Sequence, residues 1–419
     1  MNAITVRKHI ARTILSRLTT WLAAILACYF CHSLHPALAA PGSWTRKADM
    51  PMAFDGHASC EVDGILYVMG GHKDPGIYTQ LGTLFAYDPQ TDSWTRKTDM
   101  PTARRFPTAC AVDGIIYVIG GGGWFDPTSS AVEAYDPRTD TWVTKTPMPT
   151  ARFALSASAA GGIIYAIGGI KGLAGSPQFL ATVEAYDPTT DQWTRKTSLP
   201  KAVFDGVANA VNGLIYVFFQ KETFAYDRET DRWTTKARIP TLSLNSLFTT
   251  SSEVDGIVYL FGGASDDGWT TYDLAVAYDP VQNKFTAKRK IPVACEAAAA
   301  ATINGKIYHS GGANQDPIIR PVGAVYYDSL WVFDPQGGVT PQISGLTIES
   351  LNSVRLAWQG EAGRLYGVKS TPNAAKGPWA RVIFSTGTNS ILATNALVEA
   401  TWAVPSGDTQ RFFQVLEAN

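Results

Sequence analysis

Two arginines recur at matching points of a repeated segment, and a third stands beside one of them. In Pro101-Thr-Ala-Arg104-Arg105 and Pro149-Thr-Ala-Arg152-Phe153 an arginine stands three residues after a proline. The same count from Pro51, Pro200 and Pro292 reaches Phe54, Val203 and Cys295, and the next positions are Asp55, Phe204 and Glu296. A guanidinium fork pairs bidentately with a carboxylate, and it serves as well for tying a loop carbonyl to its neighbour. After residue 40 the histidines are His57, His72 and His309, with no pair at metal-ligand spacing, so no metal or other cofactor is expected. Glu296 and Arg104 are the acid–base pair that a sugar chemistry would use. Glu133 and Glu184, two residues before a Tyr-Asp pair, are expected on the solvent side of outer strands. Tyr78, Trp124, Phe125 and Trp269 lie in long variable stretches, where they stack on sugar rings or peptide side chains or anchor their own loops.

The elements that carry these residues follow from composition and repetition. Of 419 residues, 45% are hydrophobic and 17% charged, with 37 Gly and 12 Trp, enough apolar material for a large core. Lys+Arg number 35 against 36 Asp+Glu, and without a basic patch a nucleic-acid partner is excluded. The Gly-Gly pairs end apolar runs and open no helix, so no phosphate-cradling loop is predicted.

Residues 1–40 read as a secretory signal peptide. Arg7, Lys8, Arg12 and Arg17 precede the apolar run Trp21–Phe30, and Ala37-Leu-Ala39-Ala40 supplies the small-residue cleavage site. The apolar run is short for a bilayer span, so no membrane segment is expected after cleavage. The expected location is therefore periplasmic or secreted. Ile25-Leu-Ala-Cys28 also resembles a lipobox, and the alternative is a lipoprotein anchored through Cys28. Cys60, Cys110 and Cys295 then remain, read as small apolar side chains in strands, with Cys60–Cys110 the one disulfide pairing considered.

The middle of the chain repeats. Asp63-Gly-Ile-Leu-Tyr-Val-Met-Gly-Gly71 returns from Asp113, Gly161, Asp255 and Asn304, and in degenerate form as Asn212-Gly-Leu-Ile-Tyr-Val-Phe-Phe219, without the Gly-Gly pair. Each copy is followed by an aromatic-Asp pair (Tyr87, Tyr135, Tyr186, Tyr226, Tyr278, Phe333) and then, in all but the last, by an outer aromatic (Trp94, Trp142, Trp193, Trp233, Phe285). The period of roughly 50 residues, the Gly-Gly and the spaced Trp resemble the kelch repeat, which implies a four-stranded propeller blade per unit. The last unit lacks its Trp strand, while Ser43-Trp44-Thr-Arg-Lys47 stands spare before the first. The expectation is an all-β, six-bladed kelch β-propeller over residues 41–338, closed by this N-terminal strand.

Asp-Gly and Asn-Gly pairs predict type I′ hairpins between the first two strands of a blade. Small residues before these turns suit an innermost strand at a narrow axis. One face of the ring then carries uniform tight turns and the other long dissimilar loops, which is where a ligand is expected. The kelch resemblance implies that Arg104, Arg105 and Arg152 are ligand contacts at the channel mouth, with Phe54, Asp55, His57, Phe153, Phe204 and Glu296 around them and Tyr78, Trp124 and Trp269 above. Residues 339–419 carry short alternating runs such as Ser353–Trp358 and Arg411–Val415. They read as a small fibronectin type III or immunoglobulin-like β-sandwich, serving as spacer or binding module. The function expected is that of an exported, monomeric binding protein for a protein or glycan ligand. The alternative is a carbohydrate-active enzyme on the same face, similar to the kelch sialic-acid mutarotase or, less closely, to the copper-dependent galactose oxidase.

Overall fold

The computed structural model describes residues 42–73, 79–123, 126–173, 175–239, 249–265, 270–314 and 325–337, together with the backbone of strands between 342 and 417. Six antiparallel blades of four strands form the propeller, the first with a short extra strand, Thr79–Gln80, paired to its second, and every described regular element is a strand. Blade 1 runs outward through Asp55–Val62, Ile65–Lys73, Leu84–Asp88 and Ser93–Lys97. Blades 2 to 5 begin at the inner strands Thr108–Val112, Ser156–Ala160, Val207–Val211 and Thr250–Val254. Blade 6 consists of Ala299–Ile303, Lys306–Ser310, Leu330–Asp334 and, outermost, the N-terminal strand Ser43–Arg46. In that last pairing Ser43 lies opposite Asp334 and Trp44 opposite Phe333, so closure by the spare strand is as the sequence predicts.

Local chemistry accounts for the blades. Each inner hairpin turns on two consecutive left-handed residues, for example Asp63 (φ 52°) and Gly64 (φ 80°), and again at Asn304 (φ 48°) and Gly305 (φ 73°). That is the type I′ geometry, whose twist matches the strands it joins. Inner strands are small because they crowd the axis; Ser156-Ala-Ser-Ala-Ala160 has no side chain larger than a hydroxymethyl.

The core is divided into wedges, one between each pair of neighbouring blades. Leu66, Val68 and Tyr87 of blade 1 pack on Ala301, Ile303 and Tyr308 of blade 6, and equivalent clusters fill the other five interfaces. Burial of such side chains stabilises by roughly 1.5–3 kcal/mol each.

A polar rivet repeats at the rim. Tyr135 Oη donates to Asp140 Oδ1 at 2.7 Å, and the same Oδ1 accepts the backbone N–H of Thr98 in the preceding blade at 2.9 Å. Trp142 Nε1 donates to the Thr98 carbonyl at 2.9 Å. The set recurs with Asp92, Asp191 and Asp231 as acceptor, and at Asn283 without the indole bond because Phe285 stands in place of Trp; each acceptor is in the left-handed conformation that Asp and Asn tolerate. Trp44 continues the pattern across the closure, donating to the Arg289 carbonyl at 3.0 Å.

Cys60, Cys110 and Cys295 are free thiols. Burial pushes Cys110 and Cys295 up to about 12, so they act as apolar side chains. Beyond the propeller, Gln342–Ser350, Ser353–Gln359 and Leu397–Ala403 form one antiparallel sheet, and strands paired about Leu365–Thr371 form another.

Candidate functional site

The long-loop face is organised by the segment that enters each inner strand. Five residues after the inter-blade proline, the chain takes a positive φ: Gly56 (59°), Phe106 (50°), Ala154 (51°), Asp205 (52°) and Ala297 (51°). These residues bond to one another from blade to blade. Gly56 N–H donates to the Ala297 carbonyl at 2.9 Å, Phe106 N–H to Gly56 at 2.7 Å, Ala154 N–H to Phe106 at 3.3 Å and Asp205 N–H to Ala154 at 2.9 Å. A backbone collar thus links blades 6, 1, 2, 3 and 4 around the mouth. The corresponding stretch of blade 5, residues 240–248, lies outside the described residues. Phe106 is bulky for a left-handed position, a strained conformation held by its neighbours.

Arg104 and Arg152 sit two residues before this collar and point into the blade wall. Arg104 is 1% exposed, with Nη2 on Glu133 Oε2 at 2.9 Å and on the Val118 carbonyl at 3.2 Å, and Nη1 on the Ala131 carbonyl at 2.9 Å. Arg152 repeats this with Glu184 Oε2 at 2.6 Å and the Ala166 carbonyl at 3.1 Å. Thr102 and Thr150 hydroxyls donate to the remaining carboxylate oxygens at 2.6 and 2.7 Å. The expectation that Glu133 and Glu184 face solvent is therefore corrected: both are buried, because each neutralises a guanidinium that would otherwise be buried alone. Of the two readings of Arg104 and Arg152, this geometry is that of struts.

The missed signal lies in the repeats. Where the linker residue is Arg104 or Arg152, the third strand carries Glu133 or Glu184; where it is Phe54, the partner is Phe85, stacked at 6.5 Å; where it is Val203, the partner is Phe224. The two positions change together within one chain.

The next position along holds a different set of groups. Asp55 Oδ1 lies 2.9 Å from His72 Nδ1, both buried; burial raises the Asp55 carboxyl, with His72 and Arg105 pulling against it. Arg105 Nε pairs with Asp126 at 3.0 Å, and its guanidinium lies 5.9 Å from the Phe106 ring. Phe153 packs near Phe106 at 6.5 Å, and Phe204 stacks on Phe179 at 4.3 Å. Glu296 is buried, its backbone bridged to Ala313. Tyr78, Trp124, Phe125 and Trp269 lie outside the described residues.

Inside the collar is a cavity of about 180 Å³, lined at one end of the axis by the inner strands of all six blades. Alanines 58, 109, 157, 208, 299 and 300 form its walls, and His57, Ser59, Thr108, Ser156, Thr250 and Ser251 supply its polar groups. Among the described residues no three His, Cys, Asp or Glu side chains gather as metal ligands, and no helix is long and apolar enough to cross a membrane.

Residues 40–219 match the family model described as the KLHDC2/KLHL20/DRC7 Kelch-repeats domain. Over those residues the chain is similar to kelch repeats. The solved structure of YjhT aligns with a TM-score of 0.55 at 16% identity, covering 68% of this chain and 96% of that one, which is a likeness of fold. Where a repeat carries the Gly-Gly pair, its second strand passes the linker of the next blade there. A side chain on Gly70 would stand 2.8 Å from the Arg104 carbonyl, and one on Gly120 2.6 Å from that of Arg152. The repeat's signature glycines thus make room for the linkers that carry the struts.

Proposed function

We propose that this kelch protein is an exported binding protein that holds a protein or glycan ligand at the channel mouth on its long-loop face. Domain limits of 1–40 for a signal peptide, 41–338 for the propeller and 339–419 for an immunoglobulin-like module go with this reading. A kelch propeller supports an interaction role. The observation that carries the choice of site is the cavity to which every blade contributes, rimmed by loops that differ between blades. The exposed turns of the opposite face are near copies of one another and offer nothing distinctive.

A screen of the mature chain against glycan and peptide arrays tests this. Ala157→Trp, which fills the mouth, should abolish binding of any hit. Arg138→Ala, in a tight turn of the opposite face, should leave it unchanged. A hit insensitive to Ala157→Trp would move the site elsewhere.

A second reading, an enzyme acting on a sugar at this mouth, is favoured by the buried Asp55–His72 pair, since a carboxylate-oriented imidazole is a proton carrier. Turnover of a bound sugar, followed by NMR, separates it from simple binding.

A further inference from the structure

One carboxyl at the rim of the mouth has no counterpart at the equivalent described positions of the other blades. The collar there holds Gly56, Phe106, Ala154 and Ala297, so the position serves through its backbone, which Asp205 also does by its N–H on the Ala154 carbonyl. The Asp205 side chain is therefore spare. It is partly exposed, and its carboxyl meets no hydrogen-bond donor or cation among the described residues. It borders a small uncharged cavity walled by Phe218, Phe219, Ile239 and Leu260, and Val207 and Thr249 line both that cavity and the mouth. Desolvation among these walls is the one cause that pushes the carboxyl up to about 8, and no titratable group on the elements packed around it contributes. A carboxyl in that state is stabilised as the anion by any cation brought to it.

The surface beside it is aromatic. Phe204 stacks on Phe179 at 4.3 Å and meets Phe219 at 5.3 Å. Phe179 is 44% exposed, and Leu173 of the same loop is 51% exposed. Large apolar side chains left in water beside a mouth mark a surface that another protein covers. The chain itself shows what such a surface takes. Lys201 Nζ lies 5.3 Å from the centre of the Phe219 ring and 3.0 Å from Glu222 Oε2, an ammonium held by an aromatic face and a carboxylate. Phe204 and Asp205 supply the same two chemistries without the cation. A sugar would bring several hydroxyls to a shelf with one acceptor. A basic side chain brings an alkyl stem for the rings and a charge for the carboxylate.

We propose that the rim between blades 3 and 4 binds an arginine or lysine side chain of a protein partner, with its stem on Phe204 and Phe179 and its charge on Asp205. This rests on the reading of the mouth as the binding face, and it narrows the ligand to a basic protein segment with apolar neighbours.

The test uses the full mature chain and immobilised nonapeptides in matched sets, with arginine, citrulline or glutamate at the centre and leucine or phenylalanine around it. Arginine peptides should bind, with the uncharged citrulline partner about tenfold weaker or more and the glutamate partner weaker still. Asp205→Asn keeps a side chain at home in the left-handed conformation. It should bring the arginine peptide down to the citrulline level and leave the citrulline peptide unchanged, with the melting temperature equal or raised. Asp205→Ala, the residue that blades 3 and 6 carry at this position, should do the same. Affinity for the arginine peptide should rise between pH 6 and about 8, because Asp205 gives up its proton to pair, and level off above; Asp205→Asn should remove that slope. Three results overturn the proposal: citrulline peptides bound as well as arginine peptides; arginine binding indifferent to Asp205→Asn; or no peptide bound at millimolar concentration, even where an amino sugar such as methyl glucosaminide is. Peptide binding abolished by Ala157→Trp and untouched by Asp205→Asn would overturn it while leaving the mouth as the binding face.

Discussion

Glu133 Oε2 sits 2.9 Å from Arg104 Nη2 within the wall of blade 2, and blade 1 places Phe85 against Phe54 at the equivalent points. Two chemistries thus fill one architectural position. Arg104→Ala should destabilise the protein by about 3–5 kcal/mol, because it strands a buried carboxylate. Arg104→Phe combined with Glu133→Phe copies blade 1 and should recover most of that loss. Urea midpoints of Arg104→Phe, Glu133→Phe and the double provide the check, and additive losses would mean that the pair is not coupled.

Closure rests on a small strand. Trp44 packs on Phe261, Phe333 and His309, at ring separations of 5.3, 4.9 and 6.1 Å, and bonds to Arg289. Trp44→Ala should cost roughly 3–5 kcal/mol, and deletion of residues 42–50 more, since it also leaves Leu330–Asp334 as a bare edge. An unchanged thermal transition in the deletion would disprove closure by this strand.

Acid should loosen the ring through two histidines. Burial pushes His309 down to about 4 and His57 to about 3, against an ordinary value near 6.5. Between pH 6.5 and about 4 the unfolded chain therefore binds protons that the folded chain does not, and stability falls as pH falls through that window. Above pH 6.5 these groups contribute no slope. Melting curves of His309→Gln should show a shallower decline across the window than the parent protein, by the contribution of up to one proton. Equal slopes would remove His309 from the account.

Export makes a separate prediction. Expressed in a bacterium, the chain should leave the cytoplasm and begin near Ala40 or Pro41 by mass spectrometry. Intact Met1 on cytoplasmic protein would refute it, and a diacylated Cys28 would favour the lipoprotein alternative.

Repetition made the fold legible. Gly-Gly, Tyr-Asp and Trp recur because every blade needs the same turn, the same rivet and the same rim, so blade number and closure could be read from residues alone. The site was less legible. Arg104 and Arg152 stand out in the sequence as charged residues near a mouth, yet their direction depends on Glu133 and Glu184, which lie on third strands 29 and 32 residues away. The coupled changes Phe54–Phe85 and Arg104–Glu133 would have exposed the pairing.

The bond from Trp44 to Arg289 joins residues 245 positions apart. A chain that leaves the ribosome from its N-terminus delivers Ser43–Arg46 before every other strand of the propeller and its partner strand Leu330–Asp334 after them. Until then the first strand has no sheet to join, and blade 6 cannot form. Closure is thus a long-range step, in which the ends of a very long loop are ordered before their contact brings any reward. During that interval blades 1 to 5 form an open arc with exposed edges, and the waiting strand is the segment most in need of protection from other chains.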